Sequence, residues 1–506
     1  MRKPLYVIIF FLFSILVLGL SLRFNQTSAS RSDINDSTVS ELETAPFTIW
    51  EDDLPVIQAP ADFDWRRLSG VDITFISENT PPTQALASNI SHFERVTGID
   101  VKIIQTDLDT LVQKVGLDFN AGAGKYDLIY ADPYRVLSSY PDHLVDLKKM
   151  NQSKQLPHIP ALNDFIKSQL TVLGYMGSTN HLYALPYDSP TTVLAYRKDV
   201  FRKYESLFMK EMGYDWTPDE NMTWAQYYEI ASWIQKKISA GVIDEVDYAI
   251  GNQAKQHDSL MIDFTNVLVA FGGSYYDSEQ IGKLGDLDPE AMNLATPQGI
   301  RAARFYKKML DLAAPESLTW GWKGVARAFA SGKLAMSPQW HEYSAMFEDP
   351  SRSNVAGKVG WTLLPRGKGG HANMFGGTGI AINKDSNEEE KKAAWLFLIW
   401  ATSPQVQYMT LRSDYGGYTP TRHSIYELPA IEKVINGENP NSPLRDKLLP
   451  MHAVLKAWKN ENTYMRPKVP DWWRINTYIY TELTKMLRDK QSPKQTLRRI
   501  EEKVNH

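Results

Sequence analysis

HLYALPYDSPTTVLAYRKDVF, residues 181–201, carries two runs of strand formers, 182–187 and 191–196, around a connection set by Pro186 and Pro190. Each proline fixes its own φ and pushes the residue before it out of the helical region, so Tyr187, Asp188 and Ser189 form a stiff crossover and not a slack linker. A second stretch, 359–384, repeats the pattern: VGWTLLP reads as a strand, RGKGGHANMFGGTG as a glycine-rich loop and IAIN as another strand. Two such crossovers carry the chain from one lobe to another and back. The groove between the lobes is then the expected site.

The 506 residues exceed what one hydrophobic core normally organises, so two domains, or two lobes sharing strands, are expected. A formal net charge of −4 gives no general attraction for nucleic acid or anionic membrane, and nucleic acid is not expected as a partner. The absence of cysteine excludes disulfides, thiolate catalysis and a lipid-modified cysteine behind an export signal. Arg2 and Lys3 precede an apolar run from Leu5 to Leu22. Residues 1–30 therefore read as a signal peptide or, since the run is long enough to span a bilayer, as an uncleaved transmembrane anchor. Either places the bulk of the chain outside the cytoplasm. Residues 31–69, rich in Ser, Thr, Asp and Glu, read as a spacer, with the fold starting near Val71.

From there strand, helix, strand, helix, strand alternate over 71–130, an α/β unit with a parallel sheet. Ligands meet such sheets at the carboxyl ends of strands, here Glu78, Asn79 and Asp132; each is equally suited to capping the next helix. Thr223 with Gln226, Ser386 with Glu389 and Ser492 with Gln495 read as capping boxes. Residues 393–400 are apolar on every side and should be a buried helix. No HExxH, GxSxG or GxxxxGK pattern is present, so an enzyme is not expected.

FASGKLAMSPQW (329–340), FGGTGIAINKDS (375–386), the helix KKAAWLFLIWATSPQVQ behind it, GGYTPTR (416–422) and RPKVPDWWRI (466–475) add to the opening stretch. In this order they resemble the family 1 extracellular solute-binding proteins, the maltose and multiple-sugar type that serve ABC transporters. The resemblance implies a two-lobed, type II-like α/β periplasmic-binding-protein fold, each lobe a mainly parallel sheet flanked by helices. The lobes are expected at 70–188 with 374–415, and at 189–373 with 416–506. It also implies a periplasmic or extracellular monomer, free or tethered, without a cofactor or metal, capturing a sugar, oligosaccharide or polyol by lobe closure for ABC permease subunits. An extracytoplasmic carbohydrate-active enzyme and a ligand-sensing subunit are the alternatives.

Sugars combine hydroxyls with flat apolar faces, so carboxylates, amides, Arg and stacked rings are the groups to seek. Trp340, just after a strand, is a stacking platform or a core residue. Family position offers Trp472 and Trp473, of which at most one should face the cleft because neighbours on a helix diverge by about 100°; Trp473 is taken. Asp188, beside Tyr187, is a hydroxyl acceptor or a loop cap. Gly376 and Gly377 let backbone amides approach a ligand or simply turn the chain. Arg422 pairs a carboxylate across the lobes or holds its loop. Trp320 and Trp322 belong to the surface or the rim.

Overall fold

The structure is a computed structural model that describes residues 54–177, 181–281, 283–374, 376–459 and 461–505. The apolar run at 5–22 lies outside them; among the described residues no helix is long and apolar enough to cross a membrane. In chain order the strands of the two main sheets are β1 (Asp72–Glu78), β2 (Asp100–Thr106), β3 (Leu128–Ala131), β4 (Ala184–Asp188), β5 (Thr192–Arg197), β6 (Tyr248–Ile250), β7 (Leu334–Trp340), β8 (Val359–Thr362) and β9 (Thr378–Ile382). One sheet has the order β2-β1-β3-β9-β4, the other β8-β5-β7-β6.

Both crossovers are present: β4 lies in the first sheet and β5 in the second, while β8 lies in the second and β9 in the first. The two passages run in opposite directions. Strands lying side by side therefore pair antiparallel, β9 with β4 and β8 with β5. Parallel pairing survives where helices return the chain, between β1 and β2, β1 and β3, and β6 and β7. Each sheet is mainly parallel in strand sense, as expected, with one reversed strand supplied by a crossing: β9 runs against the other four strands of the first sheet, and β5 against the other three of the second.

The helices carry the expected local signals, with one shift. Thr80 caps α1 (Pro81–Thr97), which closes at left-handed Gly98, φ 69°. The boxes Thr223/Gln226 and Ser492/Gln495 form. The box expected on Ser386 moves to Asn387 with Glu390 at the head of α2 (Glu388–Ala401), because the Ser386 hydroxyl donates instead to Asp127. As anticipated, α2 is buried from Ala393 to Ala401. Burying each large apolar side chain there contributes about 1.5–3 kcal/mol.

Two main clusters of buried apolar residues follow the two sheets. The first takes Phe75, Ile129, Ile380 and Trp400, the second Phe264, Met336 and Ile479. Of the spacer expected at 31–69, residues 31–53 lie outside the described residues, while 54–69 are packed: Leu54 and Leu68 are buried in the first cluster, and the Gln405 amide donates to the carbonyls of Leu54 and Pro55. Tyr418, Ile431 and Val454, expected with the second lobe, also belong to the first cluster, while Val469 and Trp472 belong to the second. The chain thus passes between the clusters a third time.

Candidate functional site

Where the passages meet, hydrogen bonds tie them. The Thr419 amide donates to Asp188 Oδ1 at 3.0 Å, and the Gly376 amide donates to the Pro190 carbonyl at 2.8 Å. His341, which burial lowers to about 4 and so keeps neutral, accepts from the Thr191 amide on Nδ1 and faces the Thr419 hydroxyl with Nε2. Gly377 sits at φ 93°, and a Cβ there would lie 2.1 Å from the Asp188 carbonyl. Glycine is required by this close backbone approach.

Beside these ties a cavity of about 510 Å³ opens, walled by residues from both sheets. Of the expected site residues, Glu78, Asn79, Asp132, Asp188, Trp340, Gly376, Gly377 and Trp473 line it. Asp132 both lines it and accepts from the amides of Tyr134 and Arg135, so its two readings hold together. Thr80, and neither Glu78 nor Asn79, caps the helix after β1. Trp340 is 8% exposed, packed in the second cluster and also on the wall.

Two expected residues are elsewhere. Tyr187 is buried with its hydroxyl donating to the Pro82 carbonyl, because neighbours on a strand face opposite sides and Asp188 takes the cleft side. Arg422 is buried under its own loop, donating to the carbonyls of Thr402, Pro160 and Ala161, with its guanidinium 3.7 Å from the Phe165 ring. It holds the loop. The expectation that only one of Trp472 and Trp473 reaches the cleft is also corrected: both line it. Trp472 is 1% exposed with its ring edge-on to Tyr275, whereas Trp473, 52% exposed, stands at the mouth. Trp322 lines the wall as well.

Sequence reasoning missed Tyr130, Arg135, Asp258, Glu342, Arg466 and Asn476, all on the wall, which Tyr134 also lines. They complete two charged regions. In one, burial pushes the Asp188 carboxyl up to about 7, and Glu342 rises well above its ordinary value through burial and the charges of Asp188 and Glu78. Glu78 is raised by burial and by Asp132. In the other, Asp258 stays low despite its burial, because Arg135, Arg466 and a hydrogen bond from Asn476 favour the carboxylate. Arg135 reaches Asp258 at 3.6 Å, and the Arg466 guanidinium lies 3.8 Å from the Tyr134 ring. Among the described residues no cluster of His, Asp and Glu is arranged to hold a metal.

This wall offers acceptors, donors and ring faces together, which matches recognition of a polar solute. The family of bacterial extracellular solute-binding proteins matches residues 77–408. A protein of Sinorhizobium fredii named as a probable amino-acid ABC transporter periplasmic-binding protein is 24% identical over 441 residues, 87% of this chain and 90% of that one. A mannitol-binding protein of Pseudomonas aeruginosa is 26% identical over 340 residues, 65% of this chain and 66% of that one. A solute-binding protein of Agrobacterium radiobacter, solved with ribitol, superposes with TM-score 0.67 at 25% identity, covering 87% of this chain and 99% of that one. The chain belongs to the bacterial extracellular solute-binding proteins, two-lobed binding proteins of ABC transporters.

Proposed function

We propose that the protein captures a small sugar or polyol between its lobes, outside the cytoplasm, and delivers it to ABC permease subunits. The carrying observation is the cavity wall, where the carboxylates of Glu78, Asp132, Asp188 and Glu342 stand beside the rings of Trp340, Trp322 and Trp473. Carboxylates accept hydroxyl protons and rings cover the apolar face of a sugar, a pairing that a purely ionic or purely apolar ligand would not need. A relative named for mannitol and one solved with ribitol support the same class. We assign 54–188 with 376–458 to one lobe and 189–374 with 461–505 to the other, following the two sheets and the passages between them. Ligand shifts the population toward the closed arrangement by bridging them. The chain works as a binder and not as a catalyst, and as a monomer.

Titrating tryptophan fluorescence and melting temperature with alditols, monosaccharides, maltose and amino acids tests this. A saturable response to at least one sugar or alditol is expected. Response to amino acids alone, or to nothing, would sink the assignment.

A further inference from the structure

Three polar atoms of residues that line the cavity are buried and, among the described residues, have no hydrogen-bond partner: Trp472 Nε1, Asn476 Oδ1 and Arg466 Nε. Their residues are 1%, 5% and 8% exposed, and all three line the cavity. Buried groups left unpaired cost about 1–3 kcal/mol each, so three on one wall call for a partner that the protein does not supply.

Their orientation is determined. Asn476 donates through Nδ2 to Asp258, which as a carboxylate can only accept, so the amide cannot be flipped and Oδ1 is its free end. Asp258 is itself held by Arg135 at 3.6 Å. Trp472 and Asn476 are one turn apart on α3 (Trp472–Leu487), hence on one face, and the indole is fixed edge-on to Tyr275 with centroids 5.7 Å apart. Arg466 is fixed by the Tyr134 ring beneath its guanidinium. Tyr134 arrives from the loop after β3, so access to the three atoms comes with lobe opening.

The set contains two N–H donors and one carbonyl acceptor. An alcohol oxygen offers two lone pairs and one proton, which is the matching complement. A ligand carboxylate would face the Asn476 carbonyl and the Asp258 charge; a ligand ammonium would face two N–H donors and the Arg135 and Arg466 cations. Neither is satisfied. The geometry points to a subsite of Trp472, Asn476 and Arg466 that takes one neutral hydroxyl of the ligand, accepting from the two N–H groups and donating to the Asn476 carbonyl. This rests on the polyol reading and gives Trp472 a polar role in place of ring stacking.

The test is calorimetric titration of the full-length protein with D-mannitol, D-glucitol, ribitol and D-glucose, then with monodeoxy analogues of the best binder. Trp472→Phe keeps the ring and removes the indole N–H. In the wild type one deoxy analogue should bind roughly 10-fold more weakly than its parent. In Trp472→Phe the parent should weaken roughly 10-fold, and that same deoxy analogue should lose at most about 2-fold more, since the bond is already gone. Asn476→Ala, confirmed folded by circular dichroism, should erase the same penalty and serves if Trp472→Phe does not fold. If a probe binds but both folded variants keep the wild-type deoxy profile, the subsite is overturned and the polyol reading stands. If no probe binds, both fall.

Discussion

Two regions of one cleft wall treat their carboxylates in opposite ways. Around Asp188, the charges acting on Glu342 are Asp188 and Glu78, all carboxylates, and burial adds to their mutual repulsion. Around Asp258, two guanidiniums and an amide more than offset burial, and the group stays ionised. Burial alone would raise all of them. The difference is set by what each carboxylate meets, so the paired region behaves as framework, while in the unpaired one Asp188 is pushed up to about 7 and Glu78 and Glu342 are raised as well.

The paired region should be the costlier to break. Asp258→Ala leaves the Asn476 amide without its acceptor and removes the carboxylate charge that offsets Arg135 and Arg466 inside the wall, although Arg135 retains Asp109. Removing one partner of a buried pair costs about 3–5 kcal/mol, and the surviving Asp109 contact places the loss near 3. Urea unfolding at pH 7 measures it; a loss below about 1 kcal/mol would mean that the region is not framework. Because the Asp258 carboxyl is held low, its contribution is present above the ordinary carboxylate range and fades only as pH falls through its depressed value.

The unpaired region should respond with the opposite sign. The Asp188 carboxyl binds its proton more tightly in the folded state, rising from 3.8 to about 7. Stability is therefore unaffected below the lower value and declines as pH climbs through that window. Asp188→Asn keeps an oxygen to accept from the Thr419 amide and removes the charge. At pH 8 the variant should be roughly 4 kcal/mol more stable than wild type, about 1.4 kcal/mol for each pH unit between 3.8 and about 7, with the gain vanishing below pH 4. A gain equal at both pH values would show that Asp188 is not titrating in this range.

The same contrast explains how much was legible beforehand. Residues at strand ends, Glu78, Asp132, Asp188 and Trp340, were within reach because the chemistry of a parallel sheet concentrates there. Tyr187 was misplaced although strand alternation already forbids it from facing the same way as Asp188. Glu342, two residues beyond Trp340, carried a usable signal in SPQWHEY. Asp258 and Asn476 carried none: they stand 218 residues apart, and only the third passage brings them together. Segment 54–69 was read as a spacer on composition, yet two well-placed leucines anchor it. Sparse apolar residues suffice when each finds a cavity in an existing core.

The smallest effect separates two adjacent tryptophans. Trp472 is buried and acts through its N–H; Trp473 is half exposed at the mouth, where its ring face is open to a ligand. Trp473→Ala removes little packing, so the unfolding free energy should change by less than about 0.5 kcal/mol. A ring over a sugar face contributes about 0.5–1.5 kcal/mol, so the affinity for whichever alditol or sugar binds should fall about 2- to 10-fold. Trp473→Phe should recover most of that, because it restores a face without an N–H. At Trp472 the same replacement should be as harmful as losing the hydrogen bond. Identical responses of the two positions to phenylalanine would mean that both act as rings, and the division between a polar inner wall and an aromatic mouth would not hold.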